Sequence, residues 1–334
     1  MTRRDTHFGP VPGRKRAVSC VSTVLITLLL TSCTSNQQPE QAPEPQPIAE
    51  TRASPEPRWD PRDVDDLPDA RDDVATLLPA VIDPPASVRP LAGAPVETGI
   101  LTISRRRTVL VLSTDGSWRS IPVPERYAQA SLSRGGTRLL FTQQDAVEVW
   151  DLTTGERRTI PFPDDLVPWD YTRAKWVDES TYLNDDHRGG WLVDITSCAA
   201  RRVSHPTEFV WAVDEDGTVV DGAGRIERLV ATPGTLIGTT YDGGPFRVVV
   251  ADRSTLEPRA VLPLRDFEGN YSNWALGPVA VQDDGIVLLW IAVVGKDDGW
   301  RLVAWDPETD DLSLVSRSDA EPTDVLTYAV DLLR

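Results

Sequence analysis

The sequence predicts an all-β protein: a β-propeller of five or six four-stranded blades, six favoured, standing after a disordered Pro-rich tether. Three observations predict it. The 28 Pro and 22 Gly among 334 residues break long helices and argue against a helical bundle. From about residue 96 onward, apolar strands and polar turns recur as one unit. Before that, residues 33–66 are rich in Pro, Glu and Gln and nearly lack large apolar groups, so they cannot bury enough surface to offset the entropy of ordering.

Residues 1–32 read as an export signal rather than as part of the fold. Arg3, Arg4, Arg14, Lys15 and Arg16 form a positive start, followed by an uncharged run of 14 residues from Ala17 to Leu30. That run is shorter than the roughly 20 residues a helix needs to cross a bilayer. It ends in Leu30-Thr31-Ser32-Cys33, which resembles the lipobox of bacterial lipoproteins. The resemblance implies a diacylglycerol on the Cys33 thiol, cleavage before Cys33, and attachment of the mature chain to the outer face of the cell membrane. Two acyl chains at about 0.8 kcal/mol per buried methylene anchor a protein stably.

Removing residues 1–32 takes five basic side chains and one acidic one from totals of 34 and 51, so the net charge moves from −17 to −21. A nucleic-acid partner needs a basic face, and this balance excludes one. The 33–66 segment, extended at about 3.1 Å per residue, spans up to roughly 90 Å as a tether. Residues 67–95 form a lead-in. Within it, Leu67 to Ile82 predicts a short helix, with Asp69 as cap, Val74, Leu77 and Leu78 on one face, and Pro79 as the stop.

Residues 96–334 carry the repeat. Its units are VLVLSTDGSWRSIPVP, VEVWDLTTGERRTIPFP, WLVDITSCAARRVSHP, RVVVADRSTLEPRAVLPL and RLVAWDPETDDLSLVSRS. In four of them an aspartate follows the apolar strand, Asp151, Asp194, Asp252 or Asp306, where its carboxylate accepts turn amides. A second hairpin precedes several units, so two hairpins make a four-stranded blade. At about 40–45 residues per blade the region holds five or six, with residues 207–250 as a short blade or an insertion. VWDLTTGE and VAWDPETDD resemble strand ends of WD-repeat-like and TolB-like propellers. The stretch DVLTYAVDLL alternates with strand periodicity, which predicts that residues 325–332 complete the first blade beside residues 99–104.

No motif names a reaction, and the sequence predicts no catalytic, cofactor or metal site. His187 beside Asn184-Asp185-Asp186 reads as a loop, as do the acids Asp214, Glu215, Asp216 and Asp221 around Gly217. Asp283-Asp284-Gly285 and Asp297-Asp298-Gly299 are turn sequences. Trp150, Trp191, Trp290 and Trp305 sit in strand runs as packing residues, whereas Trp59, Trp118 and Trp300 are candidates for exposed recognition. Cys198 reads as a lone thiol. The function expected is a membrane-anchored, non-enzymatic scaffold that binds a protein or envelope glycan. The alternative is a propeller enzyme of lyase or lactonase type using carboxylates around the central channel.

Overall fold

A computed structural model describes residues 59–70, 74, 76–105, 107–123, 130–143, 146–162, 174–186, 189–203, 211–213, 219–221, 227–232, 234–240, 247–265, 274–293, 299–321 and 324–333. Among these residues no helix is long and apolar enough to cross a membrane. The lead-in contributes two short strands, β1 (Val81–Ile82) and β2 (Arg89–Pro90). Blade 1 takes β3 (Gly99–Arg105), β4 (Thr108–Ser113) and β5 (Trp118–Pro122). Blade 2 is β6 (Ala130–Leu132), β7 (Arg138–Thr142), β8 (Ala146–Asp151) and β9 (Arg157–Pro161). Blade 3 is β10 (Ala174–Trp176), β11 (Thr181–Asp186), β12 (Gly189–Asp194) and β13 (Ala200–Val203). A two-stranded hairpin follows, β14 (Trp211–Val213) and β15 (Val219–Asp221). Blade 4 is β16 (Glu227–Thr232), β17 (Thr235–Thr240), β18 (Arg247–Asp252) and β19 (Pro258–Pro263). Blade 5 is β20 (Trp274–Val281), β21 (Val287–Val293), β22 (Gly299–Trp305) and β23 (Leu312–Ser318).

The count is therefore five blades, not the favoured six. The average repeat length misleads because the chain spends part of residues 207–226 on the β14–β15 hairpin, whose three-residue strands pair with each other and, among the described residues, with no other strand.

The radial order of each blade is written in its sequence. A strand covered on both faces reads as a continuous apolar run, and an edge strand alternates. In β4 the run Val109–Ser113 is buried throughout, whereas β9 buries only Ile160. Adjacent blades pack face to face. Ile103 and Leu110 of blade 1 share a core with Leu288 and Leu302 of blade 5. Leu139 and Trp150 of blade 2 meet Val109 and Val111 of blade 1, and Tyr182 and Val193 of blade 3 meet Leu140 and Val149 of blade 2.

The C-terminal segment closes blade 1 as expected. β24 (Val325–Tyr328) runs antiparallel to β3, pairing Val325 with Ser104 and Tyr328 with Leu101. The strand is shorter than 325–332, because Val330–Leu332 turns into a 3-10 helix.

The helix expected over 67–82 does not form among the described residues of that stretch. Asp69 makes an isolated parallel bridge to Leu314, Ala70 donates its amide to the Leu314 carbonyl, and Leu314 donates to Pro68. β1 then pairs in parallel with β23, Val81 with Arg317. Leu77, placed on the buried face, is 54% exposed, while Leu78 and Ile82 are buried. The outer edge of blade 5 supplies backbone partners that a short helix bounded by Pro68 and Pro79 lacks. The described residues include the end of the stretch assigned to the tether. Trp59 bridges Leu264, and Pro61–Asp66 forms a 3-10 helix capped by Asp60, with Val64 fully buried.

Candidate functional site

The four repeat aspartates do what their position predicts. Asp151 accepts the amides of Thr153 and Thr154, and Asp194 those of Thr196 and Ser197. Asp252 accepts from Ser254 and Thr255, and Asp306 from Glu308. The Ser197 and Glu308 amide bonds hold the Asp194 and Asp306 carboxyls below the usual carboxylate range. A second feature of this turn escaped the sequence. The fourth residue after the aspartate adopts a left-handed backbone in every case: Gly155, Cys198, Leu256 and Asp310, with φ of 73°, 57°, 59° and 62°. Only one of them is glycine, so residue type gave no signal. Cys198, exposed and unbridged, is thereby accounted for as a turn residue.

The remaining candidates separate cleanly. Leu30, Thr31, Ser32 and Cys33 lie outside the described residues, as do His187, His205, Asp214, Glu215, Asp216, Gly217, Asp297 and Asp298. Asn184 is fully buried in β11, with neither side-chain polar atom hydrogen-bonded. Asp284 accepts the Ile286 amide and Gly285 has φ 94°, so that sequence is a turn. Among the described residues no three of His, Cys, Asp and Glu are placed to hold a metal ion.

Trp150 and Trp305 are buried as expected. The three tryptophans proposed for exposed recognition are not free. Trp59 and Trp118 pack against the cores of blades 4–5 and 5–1. Trp300 lies 5.1 Å from Trp290 and donates its indole N–H to the Glu321 carbonyl at 3.1 Å. Their positions at element ends misled, because the lead-in and C-terminal segments cover those ends.

The described residues also present an outer rim. An outermost strand leaves one row of backbone groups unpaired. On three blades the chain itself pairs with part of this row. Trp59 pairs with the end of β19: its amide donates to Pro263, and Arg265 donates back to Trp59. β1 lies along β23, and β2 lies along β5, with Arg89 opposite Arg119. Asp65 fastens this strap by reaching the nearly buried Arg301, with Nη2 and Oδ2 3.0 Å apart. On blades 2 and 3 no described strand lies beyond β9 and β13.

Those two open edges carry arginines. Arg157, Arg158 and Thr159 of β9 are exposed, as are Ala200, Arg201 and Arg202 of β13. Arg157 stacks 6.0 Å over Trp150 and Arg202 5.9 Å over Trp191. Arg158 crosses to blade 3, donating to the Ile195 carbonyl at 2.7 Å and reaching the Cys198 sulfur at 2.9 Å. No carboxylate among the described residues pairs with any of the four. The equivalent Arg259 of blade 4 instead pairs with its turn aspartate, Asp252. The signal in the sequence was an Arg-Arg pair on the fourth strand of two successive units, shifted by one residue between them.

The five sheets define a five-bladed β-propeller. No family model and no curated protein matches the chain. Solved structures do match it. A putative TolB from Agrobacterium tumefaciens does so at 13% identity and a TM-score of 0.36, covering 70% of this chain and 89% of that one. The Cps50 (Swd1) β-propeller domain of Myceliophteria thermophila matches at 18% identity and 0.31, covering 66% and 72%. A functionally unknown protein from Desulfotomaculum acetoxidans DSM 771 matches at 11% identity and 0.40, covering 66% and 80%. Likeness at this level carries no argument about function. The propeller is defined by the sheet order itself.

Proposed function

We propose that the chain is an extracytoplasmic lipoprotein, held at the cell membrane through Cys33, whose propeller is a non-enzymatic binding scaffold for a protein or envelope glycan. The observation that carries the scaffold reading is the rim. Parts of three outer edges are paired by the chain itself, and among the described residues two neighbouring edges carry no further strand and are lined with arginines that no described carboxylate pairs. The anchor rests on the lipobox-like Leu30-Thr31-Ser32-Cys33 and on the Pro-rich residues that follow it. Two measurements test the proposal. In cells fed a labelled fatty acid, the parent chain takes up label and sediments with membranes, and Cys33→Ser does neither. Label-free membrane retention of the parent overturns the anchor. Cross-linking on intact cells traps a discrete protein or glycan adduct; recovery of bare protein only overturns the scaffold.

A further inference from the structure

We infer that the outer edges of blades 2 and 3 form a docking surface for an acidic, extended polypeptide segment, added as a strand beside β9 or β13. The inference rests on the scaffold reading and names its surface and the chemistry of its partner.

The first argument is geometric. Strand addition at the outer edge is already the habit of this molecule, since Val81–Ile82 and Arg89–Pro90 occupy that position in parallel on blades 5 and 1. β9 and β13 present the same edge without an occupant among the described residues. A polypeptide supplies the amides and carbonyls such an edge pairs with.

The second argument is charge. Edge arginines guard against pairing with a second copy, but they do not forbid strand addition here, because Arg317 and Arg119 both sit opposite added strands. Their effect is selective. For a strand from a separate chain an acidic sequence is favoured over a basic one; Arg89 sits opposite Arg119 only as part of the same covalent chain. Arg157 and Arg202 are held by their indole partners, so less rotamer freedom is lost on binding. Arg158 faces blade 3, on the same side as Ile160, and Arg202 lies over Trp191, which packs at the blade 2–3 core. The two therefore border one inter-blade groove at the rim. The chain as a whole carries −17, which opposes an acidic partner at long range. At physiological salt that field is screened beyond about 8 Å, and within that distance the arginines decide.

The test uses the full-length protein and a short synthetic peptide alternating Glu with Val. Titration at about 0.15 M salt is expected to show binding that weakens as salt is raised further. The triple variant Arg157→Glu/Arg201→Glu/Arg202→Glu should bind at least about tenfold more weakly. The corresponding Lys variant should retain most of the affinity, which separates charge from misfolding. Methylating alternate peptide nitrogens should also abolish binding, because strand pairing needs those N–H groups, and amide exchange should slow at residues 157–161 and 200–203. Equal binding of the methylated peptide, or equal Arg-dependent binding of an oligouronate glycan, overturns the assignment. So does tighter peptide binding when Glu40, Glu44, Glu50 and Glu56 are changed to Gln, because the chain's own segment is then the occupant. Peptide binding untouched by the triple variant sinks this surface and leaves the scaffold standing. Loss of every cross-linked adduct in the parent sinks the scaffold itself.

Discussion

Each aspartate that follows a third strand accepts the amides that turn the chain back into the fourth. This fixes how these residues respond to acid. The Asp194 and Asp306 carboxyls are held below their unfolded value of 3.8, chiefly by the Ser197 and Glu308 amides, and Asp252 by the Ser254 hydroxyl and amide. A group whose folded pKa is depressed contributes stability that is complete above the unfolded pKa and is lost as pH falls through the folded one. Asp324 runs the other way. Burial pushes its carboxyl up, so its ionisation costs stability as pH rises past 3.8. The turn aspartates outnumber it, and the net slope is theirs. The urea midpoint is expected to hold from neutral pH to about pH 5 and to fall below about pH 4. Asp194→Asn should lower the neutral-pH midpoint and flatten part of that fall; an unchanged acid limb would remove Asp194 from the account. These aspartates were legible in the sequence because a carboxylate at a strand end has one common use. The left-handed residue four places on was not, because Cys198, Leu256 and Asp310 take a conformation their side chains do not advertise.

Strands were legible where burial is two-sided, as in Val109–Ser113, because a continuous apolar run bounded by turns has few other readings. Residues 67–82 were not. Leu78 and Ile82 are buried, and Val74 half-buried against the same core, as their hydrophobicity demands, but hydrophobicity alone does not choose between a helix face and a strap laid along a sheet edge. The deciding partner, β23, lies more than two hundred residues downstream in sequence. Asp65 marks the same strap. Its carboxylate is 42% exposed, whereas the Arg301 side chain it meets is 5% exposed. Asp65→Ala leaves that guanidinium buried without its carboxylate, still donating to the Trp300 and Ser318 carbonyls. Losing one partner of a fully buried pair costs about 3–5 kcal/mol. Solvent around Asp65 reduces this to about 1–3 kcal/mol. Denaturant unfolding should show that loss, and cleavage by protease near Trp59–Asp66 should quicken. Asp65→Ala combined with Arg301→Met should recover much of the stability, since an apolar side chain needs no counter-charge. A double variant as weak as the single one would mean that packing of the strap, not the ion pair, carries the effect.

At the scale of the whole molecule, stability depends on how the first blade is completed. β24 supplies the strand beside β3, and the Thr102 and Thr327 hydroxyls meet across the pair at 2.6 Å. The same short segment reaches both neighbouring blades. Thr327 accepts the Leu132 amide of blade 2 at 3.2 Å, and Asp331 pairs with Arg134 at 2.8 Å. On the other side, Gln282 of blade 5 donates its side-chain amide to the Leu333 carbonyl at 3.0 Å. Ala329 and Leu333 are fully buried, and Tyr328 is 8% exposed. Deleting residues 323–334 therefore removes a strand, a buried plug and the ties between blades 2, 1 and 5 together. It leaves the β3 edge and an apolar inter-blade seam open to water. The combined loss is comparable with the whole stability of a folded domain, about 5–15 kcal/mol. The truncated protein is expected to aggregate or to unfold without a cooperative transition. Thr327→Val serves as the graded control: it keeps strand shape and β propensity, removes one hydroxyl, and leaves the Leu132 amide without that acceptor. That change should cost about 1–3 kcal/mol and preserve cooperativity. If the truncated chain melts like the parent, the blade is not held closed by its C-terminal strand, and blade 1 must be stable as the three-stranded sheet β3–β5.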